Sequence, residues 1–377
     1  MADNTKIEWT DATWNPITGC SIVSPGCTNC YAMKLAGTRM KNHPSRAGLT
    51  KDSKAGPVWT GEVRFNAQWL AEPLKWKRPR MIFVCAHGDL FAEGVPDEWI
   101  DQIFAVMALA PHHTFQVLTK RPERMRDYFH DIDARSEAIN RQMNDIAPQH
   151  WCKRELEDYS PEGLPLPNVW LGVSVEDQPR AEQRIPILLE TPAAVRWISA
   201  EPLLGALDIR RFMWPVHPQW PGKYNTPADA KADGATVTYH RQALVSARSV
   251  FLDWVVAGGE SGRNARPMHP DWARSLRDQC AAAGVPFLFK QWGEWWEVDS
   301  DARDENGNHR VIETDSHEAI ELWDAKTDCL LTKDAARYTP DTLPENTPAR
   351  LMTRLGKKAA GRMLDGIEHN GFPEVRS

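Results

Sequence analysis

The sequence predicts an α/β fold, a partial or expanded (β/α) TIM-type barrel carrying helical and irregular insertions. Three observations predict it. Short runs of apolar and β-branched residues recur along the chain, most without period-2 alternation, as in strands buried on both faces. Helix-like stretches separate several of them, and alternating strand and helix with right-handed crossovers gives a parallel barrel or open sheet. Polar side chains follow the C-terminal ends of the runs, where barrel enzymes gather their chemistry.

Taken in order, a short strand over 6–9 leads into an irregular loop, 14–31, which Pro16, Gly19, Pro25 and Gly26 keep out of helix or strand. A helix follows over 31–40. Strands are expected at 81–86, 114–119, 169–174, 195–200, 254–258 and 285–290. Helices over 97–109, 179–189 and Pro270–Ala283 lie between them, the last with Asp271 and its neighbours as a start signal. Residues 130–168 and 208–250 exceed the spacing of plain units and read as insertions; Pro215, Pro218, Pro221 and Pro227 make the second largely irregular. Residues 1–296 are then the barrel domain and 297–377 a C-terminal extension. Within the extension, 298–345 reads as loops over a short strand pair and 347–363 as a basic helix. Arg350, Arg354, Lys358 and Arg362 recur there every four residues, beside Lys357, which would lay a stripe suited to phosphates along one face. A solvated helix face is the commoner origin of such a stripe.

Composition narrows the function classes. The 51 acidic side chains outnumber the 45 basic ones, giving a formal charge of −6, which excludes a globally basic nucleic-acid coat but not a local basic groove. No apolar run approaches the roughly 18 residues needed to cross a bilayer. The polar start MADNTK is no signal peptide, so a cytoplasmic protein without a membrane partner is expected. The 17 tryptophans against 6 tyrosines suit packed cores first, and sites that stack flat rings second.

Seven cysteines, an odd number in a reducing compartment, argue against a disulfide framework. Cys85 and Cys280 read as small buried hydrophobes, and Cys152 and Cys329 are scattered. Cys20, Cys27 and Cys30 instead crowd into one loop as C-x6-C-x2-C, a pattern suited to soft metals. The helix after Cys30 would place its positive end beside that sulfur and favour the thiolate. Three thiolates make an incomplete tetrahedron. A structural zinc would need a fourth ligand, with His43 nearest and Cys85 or a later His as alternatives, whereas an iron–sulfur cluster on three cysteines keeps one iron open.

The loop resembles the cluster-binding loop of the radical S-adenosylmethionine (SAM) superfamily, although its first gap holds six residues instead of three and Asn29 precedes the last cysteine. More closely, the chain resembles a phage-associated family of three-cysteine proteins related to that superfamily. Matching segments are Trp14-Asn15-Pro16, Gly19-Cys20, Ser24-Pro25-Gly26-Cys27, Asn29-Cys30-Tyr31, Gly88-Asp89-Leu90-Phe91, Leu118-Thr119-Lys120-Arg121-Pro122, Gly258-Gly259-Glu260-Ser261-Gly262 and Lys290-Gln291-Trp292-Gly293, in the same order. The resemblance implies a barrel of the radical SAM kind. It implies a 4Fe–4S cluster on Cys20, Cys27 and Cys30 whose fourth iron binds SAM. Reductive cleavage of SAM would then give a 5′-deoxyadenosyl radical that takes hydrogen from a substrate.

The candidate site residues follow from the strand ends. Asp89, Ser174, Ser199, Glu201, Gly258, Gly259 and Glu260 are the candidates for holding the cofactor. Gly258, Gly259 and Gly262 would admit positive φ and close backbone approach, with Glu260 either on the methionine amino group or paired locally. Lys120, Arg121, Lys290 and Gln291 are the candidates for substrate contact or radical control. A reductase or flavodoxin-type electron donor is implied as partner, and a nucleic acid or nucleotide is the first expectation for the substrate. The alternative is a zinc-stabilised, non-catalytic nucleic-acid-binding protein.

Overall fold

The computed structural model describes residues 2–3, 5–147, 163–213, 251–298, 324, 326, 328–344 and 347–374. Seven strands form its centre: β1 (Ala12–Trp14), β2 (Met81–Val84), β3 (Thr114–Thr119), β4 (Val169–Ser174), β5 (Val195–Ala200), β6 (Trp254–Gly258) and β7 (Phe287–Gln291). They pair in chain order and all in parallel. Each crossover thus returns beside its predecessor in the same sense, which winds a barrel wall rather than a sheet with a switch point. Every residue of β4 and of β6 is buried, which accounts for the missing alternation.

The sheet curls. The Trp9 ring lies 4.7 Å from Phe83 of β2, 5.2 Å from Trp197 of β5 and 6.3 Å from Trp254 of β6. One indole could not reach both β2 and the β5–β6 pair, with β3 and β4 between them, in a flat sheet. Gly172 of β4 sits in register with Trp197, and a Cβ there would lie 2.5 Å from the indole, so the glycine makes room for the ring. The opening strand is corrected: 6–9 is a turn, and the strand is β1. Residues 12–14 find parallel backbone partners in Ile82–Val84, while Trp9 turns inward as a plug whose carbonyl accepts from Gln116 Nε2 at 3.0 Å.

The wall is a curled half-barrel with protected edges. Ala2–Asp3 pairs antiparallel with β1, and the C-terminal tail covers β7. There Phe289 N donates to His369 O at 3.0 Å and Gly371 N to Phe287 O at 2.9 Å. Covering both edges removes templates for strand addition.

The longer helices are α1 (Tyr31–Gly37), α2 (Asp97–Ala108), α3 (Pro122–Tyr128), α4 (Ile132–Ile146), α5 (Gln178–Glu190) and α6 (Pro270–Ala283). Asp177 caps α5 by accepting from Arg180 N, and His269 Nδ1 caps α6 by accepting from Asp271 N at 3.2 Å. The first insertion contributes α4, tied to α2 by Arg135 on Asp101 at 2.9 Å; its residues 148–162, with Cys152, lie outside the described residues. So do 214–250 of the second insertion and 299–323 of the extension.

The extension contains β8 (Trp295–Glu297), β9 (Asp328–Leu331), β10 (Arg337–Tyr338) and β11 (Arg350–Arg354), an antiparallel sheet in the order β8-β11-β9-β10, then the short helix α7 (Lys357–Ala360). The expected basic helix over 347–363 is therefore overturned. Two flanking strands supply β11 with backbone partners while Leu351 and Met352 are buried. The basic stripe dissolves with it. Arg350 pairs with Asp271 and Glu297, Arg354 with Glu294, and Arg362 with Glu368. Among the described residues no helix is long and apolar enough to cross a membrane.

Candidate functional site

A cavity of about 770 Å³ opens at the C-terminal ends of the parallel strands. It brings together Cys20, Cys27 and Cys30 with Asp89, Lys120, Arg121, Ser174, Ser199, Glu201, Gly259, Glu260, Lys290 and Gln291. Of the expected site residues only Gly258 lies off its wall. Strand-end positions separated by more than 270 residues in sequence thus converge, which the parallel topology alone explains.

The cysteine loop begins at Gly19, whose φ of 95° and close approach to the Glu62 carbonyl admit no side chain. A single 3₁₀ turn, Pro25–Cys27, and the bond from Cys30 N to Cys27 O at 3.2 Å set the second and third thiols on the cavity. Three buried carboxylates from three strand ends hold this loop. Glu176, after β4, accepts from Gly26 N at 3.1 Å and from Arg184 at 3.0 Å. Glu260, after β6, accepts from Asn29 Nδ2 at 2.9 Å and pairs with Arg266 at 2.6 Å; Arg266 also donates to Pro25 O. Asp89, after β2, pairs with Arg121 at 3.0 Å, and Arg121 reaches Ser21 and lies 3.5 Å from the Cys20 sulfur.

These contacts refine the expected roles. Asp89 accepts from Phe91 N, Thr119 Oγ1, Lys120 N and Arg121, so its four lone-pair directions are taken by protein donors. Glu260 is paired locally with Asn29 and Arg266. Arg121 is buried between Asp89 and Glu93, which raise its already high pKa. The positive φ expected of Gly258 and Gly259 is corrected: neither has it, and only Gly262, at 102°, does. Gly259 is required because a Cβ would stand 1.8 Å from the Trp292 carbonyl as the chain leaves β7.

Other groups remain available to a ligand. Lys290 Nζ pairs with Glu201 Oε1 at 2.6 Å across β5 and β7. Gln291 donates weakly to the same carboxylate, and its buried Oε1 has no partner. The Ser174 and Ser199 hydroxyls line the cavity and make no hydrogen bond among the described residues. The Lys120 ammonium acts electrostatically on both Cys30 and Glu176, drawing both pKa values down.

Burial, with Asp89 adding to it, pushes the Cys20 thiol up to about 12. Cys30 is also raised, which corrects the expectation of a thiolate favoured by the helix end: the Met33 and Ala32 N–H groups and Lys120 do lower it, but desolvation outweighs them. Cys85 lines the cavity too, buried and at φ 57°, with its thiol raised to about 12 by burial. Among the described residues, no three or more His, Cys, Asp or Glu side chains are gathered to hold a single metal ion. His43, the nearest candidate for a fourth zinc ligand, shares Nδ1 with Ser45 Oγ at 2.7 Å.

Sequence reasoning missed Asn29, Arg266 and Arg184 as loop anchors, together with Arg46 on the cavity wall. Asn29 and Glu260 stand 231 residues apart, and no local pattern marks such a pair. Glu176 and its partner Arg184 stand only eight residues apart, but no local pattern ties that pair to Gly26, 150 residues away.

Comparison with curated proteins finds no match, and comparison with solved structures finds none either. One family model, described as "Protein of unknown function (DUF5131)", matches residues 4–373. The chain belongs to that family.

Proposed function

We propose that this chain is a radical SAM-type enzyme whose Cys20, Cys27 and Cys30 hold a 4Fe–4S cluster at the strand-end cavity. One observation carries the reading: three thiols of a single clamped loop share a cavity wall with unpaired polar groups from several parallel strands. The donor set fits such a group. A cluster takes each thiolate on a different iron, so its sulfurs need not converge on one point as they must around one zinc. Bound there and reduced, the cluster would supply the electron that cleaves SAM and so open hydrogen-atom abstraction chemistry.

The chain's own residues have distinct tasks in this reading. Glu176, Glu260 and the Asp89–Arg121 pair hold the loop rigid. The Ser174 and Ser199 hydroxyls and the free Gln291 carbonyl orient the cofactor's polar groups, and the Lys290–Glu201 pair presents charge across the mouth. Lys120 offsets negative charge beside Cys30. Arg350, Arg354 and Arg362 are paired to acids, and this reading places substrate recognition in the cavity.

The test is anaerobic purification with iron and sulfide assays, followed by dithionite reduction with SAM while 5′-deoxyadenosine is measured. About four irons per chain are expected. Replacing Cys20, Cys27 or Cys30 by Ala is expected to abolish loading. A colourless protein refractory to reconstitution, or a Cys variant retaining a full cluster, overturns the assignment.

A further inference from the structure

Arg46 is 2% exposed, yet it lines the cavity and makes no ion pair with any described acid. Its partners are neutral: Ser45 O at 3.1 Å, Ser45 Oγ at 2.8 Å and His87 Nδ1 at 2.6 Å. Its buried Nε has no partner. The charged group acting on it most strongly is another cation, Arg64, which donates only to the Pro44 and Ala47 carbonyls. The other buried arginines among the described residues are matched by carboxylates: Arg121 by Asp89 and Arg184 by Glu176. An uncompensated buried guanidinium is costly, and buried charges are ordinarily paired with a counter-charge.

His87 adds a second donor. A guanidinium only donates, so Nδ1 of His87 must accept and the imidazole proton sits on Nε2. That N–H has no partner among the described residues, and the ring lines the same cavity. The Arg46 guanidinium also stands 6.0 Å over the Trp69 ring, another wall residue.

We propose that Arg46 and His87 form an oxyanion pocket, which receives a phosphate or carboxylate group of the substrate. A planar guanidinium with a free N–H suits either group, and an adjoining neutral imidazole N–H adds a donor without a second charge. The pocket is built from residues 45–46, 69 and 87, outside the cysteine loop. It deepens the enzymatic reading by naming a substrate feature, but needs no cluster to bind its anion.

The test uses the metal-free full chain and, separately, a Cys27→Ala/Cys30→Ala chain, so that loss of the cluster and failure of the pocket are distinguishable. Inorganic phosphate and acetate are titrated at constant ionic strength, with chloride as control, by calorimetry and by thermal shift. Binding of phosphate or acetate to both chains is expected, and the preferred anion tells which group the substrate carries. Arg46→Gln should weaken it about ten- to a hundredfold, as expected for losing charge-assisted hydrogen bonds. Arg46→Lys should restore part of it, and His87→Ala should weaken it less. Absence of anion binding in the folded parent, or equal affinity in a folded Arg46→Gln chain, overturns the proposal. Should Arg46→Gln fail to fold, the His87→Ala and Arg46→Lys titrations decide: affinities unchanged in both overturn it.

Discussion

Asp89→Asn tests whether the cavity is built around its loop-holding carboxylates. Asp89 is 5% exposed and accepts from Phe91 N at 3.0 Å, Thr119 Oγ1 at 2.7 Å, Lys120 N at 3.1 Å and Arg121 Nη1 at 3.0 Å. An amide keeps one acceptor oxygen and turns an NH₂ towards groups that are themselves donors. Arg121 is left with Glu93, whose side chain is 65% exposed and therefore a weak, screened partner. Breaking a buried ion pair from one side costs about 3–5 kcal/mol. The lower end applies, because Ser21 still accepts from Arg121. At about 3 kcal/mol per molar of urea, the unfolding midpoint falls by about 1 M. Tryptophan fluorescence follows unfolding, and the rate of thiol alkylation at Cys20 reports the loop, because Arg121 bridges Asp89 to Ser21 and Cys20. Combining the change with Arg121→Gln should cost less than the sum of the two, since no orphaned charge remains. An unchanged midpoint together with an unchanged Cys20 alkylation rate refutes the reasoning.

Gly172→Ala places a Cβ 2.5 Å from the Trp197 indole and should destabilise by about 1–3 kcal/mol, visible as a lower urea midpoint and altered near-ultraviolet circular dichroism. His87, His113 and His269 have pKa values lowered to about 4, chiefly by burial, and the Nδ1 atoms of His87 and His269 act as acceptors that protonation would remove. The unfolded chain therefore binds more protons between pH 6.5 and 4. Stability is full above 6.5 and falls as pH drops through that window, by up to about 1.4 kcal/mol per unit for each buried imidazole; urea midpoints at pH 7 and 5 check it. Ending the chain at Asp365 uncovers β7, and light scattering should then show more self-association than the full chain.

Much of the wall was legible because buried parallel strands leave uninterrupted apolar runs: β3 and β6 fall at 114–119 and 254–258, as the pattern predicts. The tryptophans follow their ordinary use as core. Trp14, Trp254, Trp272, Trp292 and Trp295 each bury their rings and donate Nε1 to a backbone carbonyl. Misreadings arose where a local pattern has two solutions. A four-residue recurrence of arginines fits a helix face, but in a strand positions i and i+4 also share a side, and pairing with β8 and β9 decided for the strand. The Gly258-Gly259-Glu260 segment was legible as special, though not for its cause. Gly259 yields to the Trp292 carbonyl, a contact created by tertiary packing. Partners such as Arg266 for Glu260 could be found only once the strand ends had met.

The distribution of charge around the cysteines separates holding from chemistry. Asp89, Glu176 and Glu260 come from the ends of β2, β4 and β6, each is matched to an arginine, and each fixes a different part of one loop. Glu176 and Glu260 are poor candidates for proton transfer, since cationic and hydrogen-bonding neighbours outweigh burial and hold both below the usual carboxylate range. What remains for ligands is a set not locked to arginine: Lys120, the Lys290–Glu201 pair, the Ser174 and Ser199 hydroxyls, Gln291 Oε1 and the Arg46–His87 donors. In the proposed reading their task is to bind and orient. In that reading the division leaves binding and orientation to the cavity wall and bond breaking to the cofactor.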